Sequence, residues 1–221
     1  MSFIFSLESA FMENSHPENV APMAKYMRNH FAFFGIKTTE RRRLFKEIWK
    51  QNKAEVTENS RTVALQLFAK KQREFHYCAI EILIKELKQN YLKDDIHLIK
   101  KLITENSWWD SVDTISKYIL GEYLLGFPDE TDAVVKLFSN ADNMWLNRSV
   151  ILFLFFYKKK TNFELLKSIC LKQQSSSEFF IQKAIGWALR EYAKTDSEAV
   201  KEFVAVTAFK PLSRKEALKN T

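Results

Sequence analysis

The sequence predicts an all-helical domain, and three observations carry that prediction. Glycine and proline number four each in 221 residues. That is too few for the hairpin turns of an antiparallel sandwich or for the phosphate loops of a doubly wound sheet. Hydrophobic residues make up 46% of the chain and aromatics 14%, which excludes a long disordered chain and supplies the core of a domain of this length. Bulky aromatics also recur at a nearly constant interval: Phe75, Trp109, Trp145 and Phe180 stand 34, 36 and 35 residues apart, each near the start of an apolar helix.

The elements follow in order. Residues 3–11 are apolar at helical spacing. Pro17 opens a second helix as an N1 proline. That helix is expected to run through Met23, Met27 and Phe31 with a kink at Pro22, and Gly35 ends the region. Thr38 or Thr39 caps a helix carrying Arg41, Arg42, Leu44, Phe45, Ile48 and Trp49, and Thr57 caps the next, which holds Val63, Leu65, Leu67 and Phe68. Residues 74–87 place Phe75, Cys78, Ala79, Ile82, Leu83 and Leu87 on one stripe. Asp94 or Asp95 starts a short helix to Leu102, and residues 108–125 form the next, closed by Gly126 and Pro128. Residues 130–138, 145–157, 163–171, 178–192, 197–203 and 213–219 complete the set. No run of Gly, Ser or Pro reads as a linker, so residues 1–221 are expected to form a single domain.

Two helices per period of about 35 to 40 residues describe a right-handed solenoid of HEAT-like repeats. In such a fold the second helix of each pair lines the concave face, and equivalent positions converge there. Asp113 falls four residues after Trp109, Arg148 three after Trp145, and Lys183 three after Phe180. These positions lie on one side of a helix, one turn in. The plainer reading of each aromatic taken alone is a packing anchor.

Most routine enzyme chemistry is absent. Ser197 and Ser213 have no matching His and Asp arrangement. His16, His30, His76 and His97 lack metal-ligand spacing, and there is no glycine-rich phosphate loop, so neither metal nor cofactor is expected. Cys78 and Cys170 read as reduced thiols of a cytoplasmic protein. The opening MSFIFSLESAFMENS lacks a basic segment and a small-residue cleavage site, and the most apolar run, 150–157, is too short to cross a bilayer. Lys and Arg total 34 against 27 for Asp and Glu, a formal charge of +7, which favours an anionic partner.

The informative segment is Ser107-Trp108-Trp109-Asp110-Ser111-Val112-Asp113. Adjacent Trp residues on a helix point to different faces, so one can pack inward while the other meets a ligand. Asp110 sits near a helix start, where capping is its ordinary role. Asp113 sits inside the helix, where Asp is a poor former, which marks it as a site residue. Farther on, Lys183, Trp187, Arg190 and Lys194 share the i, i+4, i+7, i+11 face of one helix. A basic stripe with an aromatic in it suits a nucleic-acid backbone; the plainer reading is a solvated helix face with the Trp half buried. Gly186 in that helix costs roughly 1 kcal/mol relative to Ala, which a close neighbouring backbone or room for the Trp ring would explain. Arg41-Arg42-Arg43, Lys70-Lys71-Arg73, Lys158-Lys159-Lys160 and Arg214-Lys215 are each most simply solvated faces. Placed on successive repeats, they would form one basic rail.

Residues 21–31, Phe34-Gly35-Ile36, SWWDSVD at 107–113 and the stretch 179–194 closely resemble bacterial alkylpurine DNA glycosylases built from HEAT-like repeats, the AlkD family. The resemblance spans essentially the whole chain. It implies a curved solenoid that holds duplex DNA in a basic concave cleft and removes cationic N3- and N7-alkylated purines without flipping the base. It implies that Trp109 and Trp187 contact the deoxyribose at the lesion, that Asp113 is the catalytic carboxylate and that Arg148 holds a backbone phosphate beside it. The helix around Tyr26 and Arg28 would reach the minor groove. Lys183, Arg190, Lys194 and Arg41 are the further candidates for DNA contact. A monofunctional, cofactor-free hydrolase follows, with no Schiff-base lysine and no strand cleavage. Alkylated duplex DNA would be its partner, and it would act as a nucleoid-associated monomer with no obligate protein partner. The competing class is a non-catalytic DNA-binding paralogue.

Overall fold

The computed structural model describes residues 2–219, and its regular elements are helices. The one β-type contact among the described residues is a bridge between Ala32 and Gln72. Met1, Asn220 and Thr221, which the 1–221 domain reading includes, lie outside the described residues. The chain divides into two compact units, Met1–Asn90 and Tyr91–Thr221. No described helix is long and apolar enough to cross a membrane.

The first unit contains α1 (Phe3–Glu13), α2 (Pro17–Tyr26), α3 (Thr38–Gln51), α4 (Lys53–Glu58), α5 (Ser60–Phe68) and α6 (Arg73–Glu86). Phe3, Leu7 and Phe11 form the buried stripe of α1, which packs on α3. The Phe11 ring stacks on Phe75 at 5.3 Å, and Phe34 meets both edge-on. Helix α2 is shorter than its sequence pattern suggests. It passes through Pro22 but ends at Tyr26, because Arg28 and Asn29 adopt left-handed φ values of 53° and 60°. Phe31 therefore lies beyond the helix. Gly35 takes φ +87°, and a Cβ there would sit 2.1 Å from the His16 carbonyl oxygen, so only glycine fits. Thr38 begins α3 rather than capping it, and Thr57 lies within α4, with Asn59 separating α4 from α5.

Glu74 ties this unit together. Its side chain is fully buried, and Oε1 accepts hydrogen bonds from the backbone N–H groups of Phe34, Gly35 and Ile36 at 3.0, 3.0 and 3.2 Å. Oε2 has no hydrogen-bond partner among the described residues. Burial pushes the carboxyl above its ordinary range, against the opposing pull of those backbone donors.

The second unit contains α7 (Asp95–Thr104), α8 (Trp109–Ile115), a π-helical turn (Ser116–Leu120), α9 (Gly121–Gly126), α10 (Thr131–Ser139), α11 (Met144–Leu152), α12 (Phe163–Gln173), α13 (Phe179–Ala193), α14 (Ser197–Val206) and α15 (Pro211–Ala217). The helix read at 108–125 is thus one run broken by a π turn that begins at Ser116, three residues after Asp113. The helix read at 145–157 tightens into a 3-10 turn after Leu152. Asn143, Asn162 and Asp196 cap α11, α12 and α14 through their side-chain oxygens. Helix α11 packs on α8, α13 on α11, and α15 on α13.

The aromatic repeat is real but shifted by one residue at its first member in this unit. Trp108, not Trp109, packs against Trp145 at 5.8 Å and Phe180 at 5.3 Å, and Trp145 meets Phe180 at 5.1 Å. Trp108 stands just before α8 in extended backbone, which turns its ring into the core. Both cysteines are buried and unoxidised, and burial raises the Cys78 thiol to about 12.

Candidate active site

Helix α8 carries Trp109 and Asp113 one turn apart on the same face. With Trp108 turned into the aromatic core, the adjacent Trp109 ring is left half-buried. Asp113 is 8% exposed. A carboxylate this enclosed needs a partner, and α11 supplies it. Arg148 donates from Nε to Oδ1 at 2.7 Å and from Nη2 to Oδ2 at 2.9 Å, across a separation of 35 residues. The aromatic period is therefore matched by a contact between equivalent positions of neighbouring repeats. This two-pronged geometry fixes both carboxylate oxygens in one plane. The remaining terminal nitrogen, Nη1, donates to the Phe180 carbonyl. At 1% exposure Arg148 has every nitrogen occupied inside the protein. Three of its five N–H donors are thus spent inside the protein, two of them on orienting Asp113.

The Arg148 guanidinium also lies 5.4 Å from the centre of the Trp187 ring and 5.8 Å from that of Phe180, within cation–π range. Trp187 comes from α13 and is half-buried. Lys183, one turn earlier, places Nζ 5.4 Å from the same ring. Lys183, Trp187 and Arg190 then meet a residue the sequence reading did not single out, Glu216 of α15. Lys194 stands apart at the end of α13, exposed and paired with Glu191.

Lys117 also escaped the sequence reading. It lies one turn after Asp113 in the π turn, with Nζ 4.2 Å from the Phe155 ring centre. Burial lowers its ammonium below the ordinary lysine value, while Asp113 pulls the other way. Among the described residues, no three His, Cys, Asp or Glu side chains gather as metal ligands do.

The remaining candidates belong to the first unit. Tyr26 ends α2 and is 68% exposed, and Arg28 follows it on the surface. Arg41, read as a groove cation, is instead 3% exposed. It donates to Glu81 at 2.7 Å and to the Cys78 sulfur at 3.5 Å, and faces the Tyr77 ring. Its place three and four residues before Leu44 and Phe45 sets it on the core side of α3, which removes it from an exposed rail. Met23, Tyr26, Arg41 and Tyr77 help line a cleft of about 330 Å³ within this unit.

Comparison with known proteins agrees with this helical architecture. The family model described as DNA alkylation repair enzyme matches residues 7–221. A solved structure of a predicted DNA alkylation repair enzyme from Enterococcus faecalis superposes with a TM-score of 0.84 at 32% sequence identity, covering 93% of this chain and 96% of that one. No curated protein matches significantly. The chain belongs to the DNA alkylation repair enzyme family. Its role is in DNA repair, with DNA as substrate.

Proposed function

We propose that this protein is a monofunctional DNA glycosylase that hydrolyses the N-glycosidic bond of cationic N3- and N7-alkylated purines in duplex DNA, without flipping the base. The observation that carries the reading is the Arg148–Asp113 pair, a nearly buried carboxylate held by both oxygens, with the half-buried Trp187 ring 5.4 Å from the guanidinium.

The chemistry asks for little else. An N3- or N7-alkylated purine already bears a positive charge and leaves without a general acid. As the C1′–N bond breaks, positive charge develops on the sugar. A carboxylate already oriented stabilises that charge without reorganising during the reaction. It also orients and deprotonates the attacking water. The faces of Trp109 and Trp187 favour the cationic sugar through their rings. Arg148 acts on Asp113 by fixing the plane of the carboxylate. Lys183, Arg190, Lys194, Tyr26 and Arg28 supply DNA contacts. Lys183 Nζ is engaged by Glu216 Oε1 rather than presented to a sugar carbon, as a Schiff-base step requires.

The test is a release assay on duplex DNA carrying 7-methylguanine. Release of the free base with the strand left intact supports the reading. Binding of the duplex without release assigns the protein to the non-catalytic class.

A further inference from the structure

Three groups on α13 converge on one acid of α15. Lys183 Nζ donates to Glu216 Oε1 at 2.7 Å, while Trp187 Nε1 and Arg190 Nη1 each donate to Oε2 at 3.2 Å. Two of these groups are cations proposed to contact DNA, and the third is the indole proposed to face the sugar. The same helix pair holds an otherwise unexplained glycine. A Cβ on Gly186 would lie 2.3 Å from Glu216 Cβ, 2.9 Å from the Ser213 carbonyl oxygen and 3.2 Å from the Ala217 nitrogen. Gly186 therefore lets α15 approach the backbone of α13 at the level of Glu216. An isolated glycine inside a helix is unfavourable, so the close approach is what its presence achieves.

We propose that Glu216 is a positioning residue for base excision: it fixes the Trp187 indole against the Arg148–Asp113 pair and restrains Lys183 and Arg190. The proposal rests on the glycosylase reading for its kinetic consequence but not for its geometry. A side chain with χ1 and χ2 freedom, such as Trp, needs a second anchor to hold its ring in one orientation. The Arg148 guanidinium lies over the ring 5.4 Å from its centre, and Glu216 holds the ring edge by accepting from Nε1. Its negative charge also offsets Lys183 and Arg190 in the unliganded protein, lowering the attraction of this face for phosphate.

These two effects separate in kinetics. Gln retains an acceptor for the indole N–H but loses the charge, whereas Ala loses both. Glu216→Ala is expected to lower single-turnover excision by about tenfold through misplacement of the indole. Glu216→Gln is expected to keep most of the excision rate and to bind duplex DNA more tightly than wild type, because Lys183 and Arg190 are released. The second readout is the Trp187 indole N–H resonance in a ¹H–¹⁵N spectrum of the DNA-free protein, assigned by its loss in Trp187→Phe. It should shift in Glu216→Ala and stay near its wild-type position in Glu216→Gln. If Glu216→Ala fails to fold, the Gln variant decides: a retained indole resonance with tighter DNA binding supports the proposal. An unmoved resonance in folded Glu216→Ala, or a Gln variant with the indole resonance displaced, overturns it. Should the wild-type protein release no base, the glycosylase reading fails while the resonance still reports on the positioning.

Discussion

Each of the two units buries a carboxylate, and the comparison separates scaffold from site. In the first unit Glu74 turns Oε1 to three consecutive backbone N–H groups, those of Phe34, Gly35 and Ile36. It closes a loop upon itself, and Oε2 has no hydrogen-bond partner among the described residues. In the second unit Asp113 gives both oxygens to one guanidinium, itself flanked by aromatic rings, and keeps a small exposed fraction. Burial alone does not mark a reactive acid. Glu74 is the more buried of the two, yet its surroundings are backbone donors that must be satisfied for the chain to fold. Asp113 is fixed by a partner brought from the next repeat, keeps a small exposed fraction, and shares a helix face with half-buried Trp109, an arrangement that can act on something outside the protein.

Removing each acid should therefore damage a different property, and the largest stability effect belongs to Glu74. Glu74→Ala leaves the N–H groups of Phe34, Gly35 and Ile36 without their acceptor, and the latter two are buried, each costing about 1–3 kcal/mol. Denaturant unfolding should show a loss of roughly 2–6 kcal/mol, with the excision rate per folded molecule unchanged. A well-folded Glu74→Ala protein of wild-type stability would erase the contrast. Next comes Gly186→Ala. Helix propensity alone would favour the alanine by about 1 kcal/mol. The added Cβ, however, meets backbone atoms of Ser213 and Ala217 as well as Glu216 Cβ, so overpacking wins and the variant should lose about 1–3 kcal/mol, read as a lowered Tm.

Smaller effects sharpen the comparison through pH. The hydrogen bond from Lys183, then its charge together with Trp187 and Arg190, holds the Glu216 carboxyl below its ordinary value of 4.5 against the opposing effect of burial. A depressed folded-state value means that the pairing stabilises the protein above that ordinary value and fades as pH falls through the depressed one. The Tm difference between wild type and Glu216→Gln should thus be present at neutral pH and close in acid. Glu74 has the opposite sign. Its raised folded-state value makes the charged form unfavourable, so its contribution to stability declines as pH rises through the ordinary carboxylate range toward the raised value. Glu74→Gln, which keeps an acceptor for the three N–H groups, should match or slightly exceed wild-type stability at neutral pH. This is the smallest change of the set, measured by the same unfolding curves.

Much of this architecture was legible in the residues. The scarcity of glycine and proline pointed to helices, and the interval near 35 residues reappears as the contact between Asp113 and Arg148. The aromatic at the head of α8 was harder. Two tryptophans stand side by side, and only the extended backbone at Trp108 decides which ring enters the core. Arg41 sits in a run of three arginines that looks like a surface cluster. The helical period sets it with Leu44, Phe45 and Ile48, and that period prevailed over the charge. Arg148 was found, but its partner set was not, because sequence spacing does not reveal that three nitrogens are occupied internally. Glu216 left only an indirect sign. Gly186 announced that something approaches α13 closely, but a local pattern does not identify a partner helix some thirty residues away. Glu74 left no sign at all, since an acid in the first turn of a helix is ordinary there.

The central claim is that a carboxylate oriented by Arg148 performs excision. Asp113→Asn tests it most directly, with single-turnover release of 7-methylguanine and duplex affinity measured on the same preparation and folding checked by Tm. The amide keeps the shape of the side chain while removing the charge that faces the developing sugar cation. The account predicts release slowed by about tenfold or more, with duplex binding nearly intact. Release at the wild-type rate by a folded Asp113→Asn protein would contradict it.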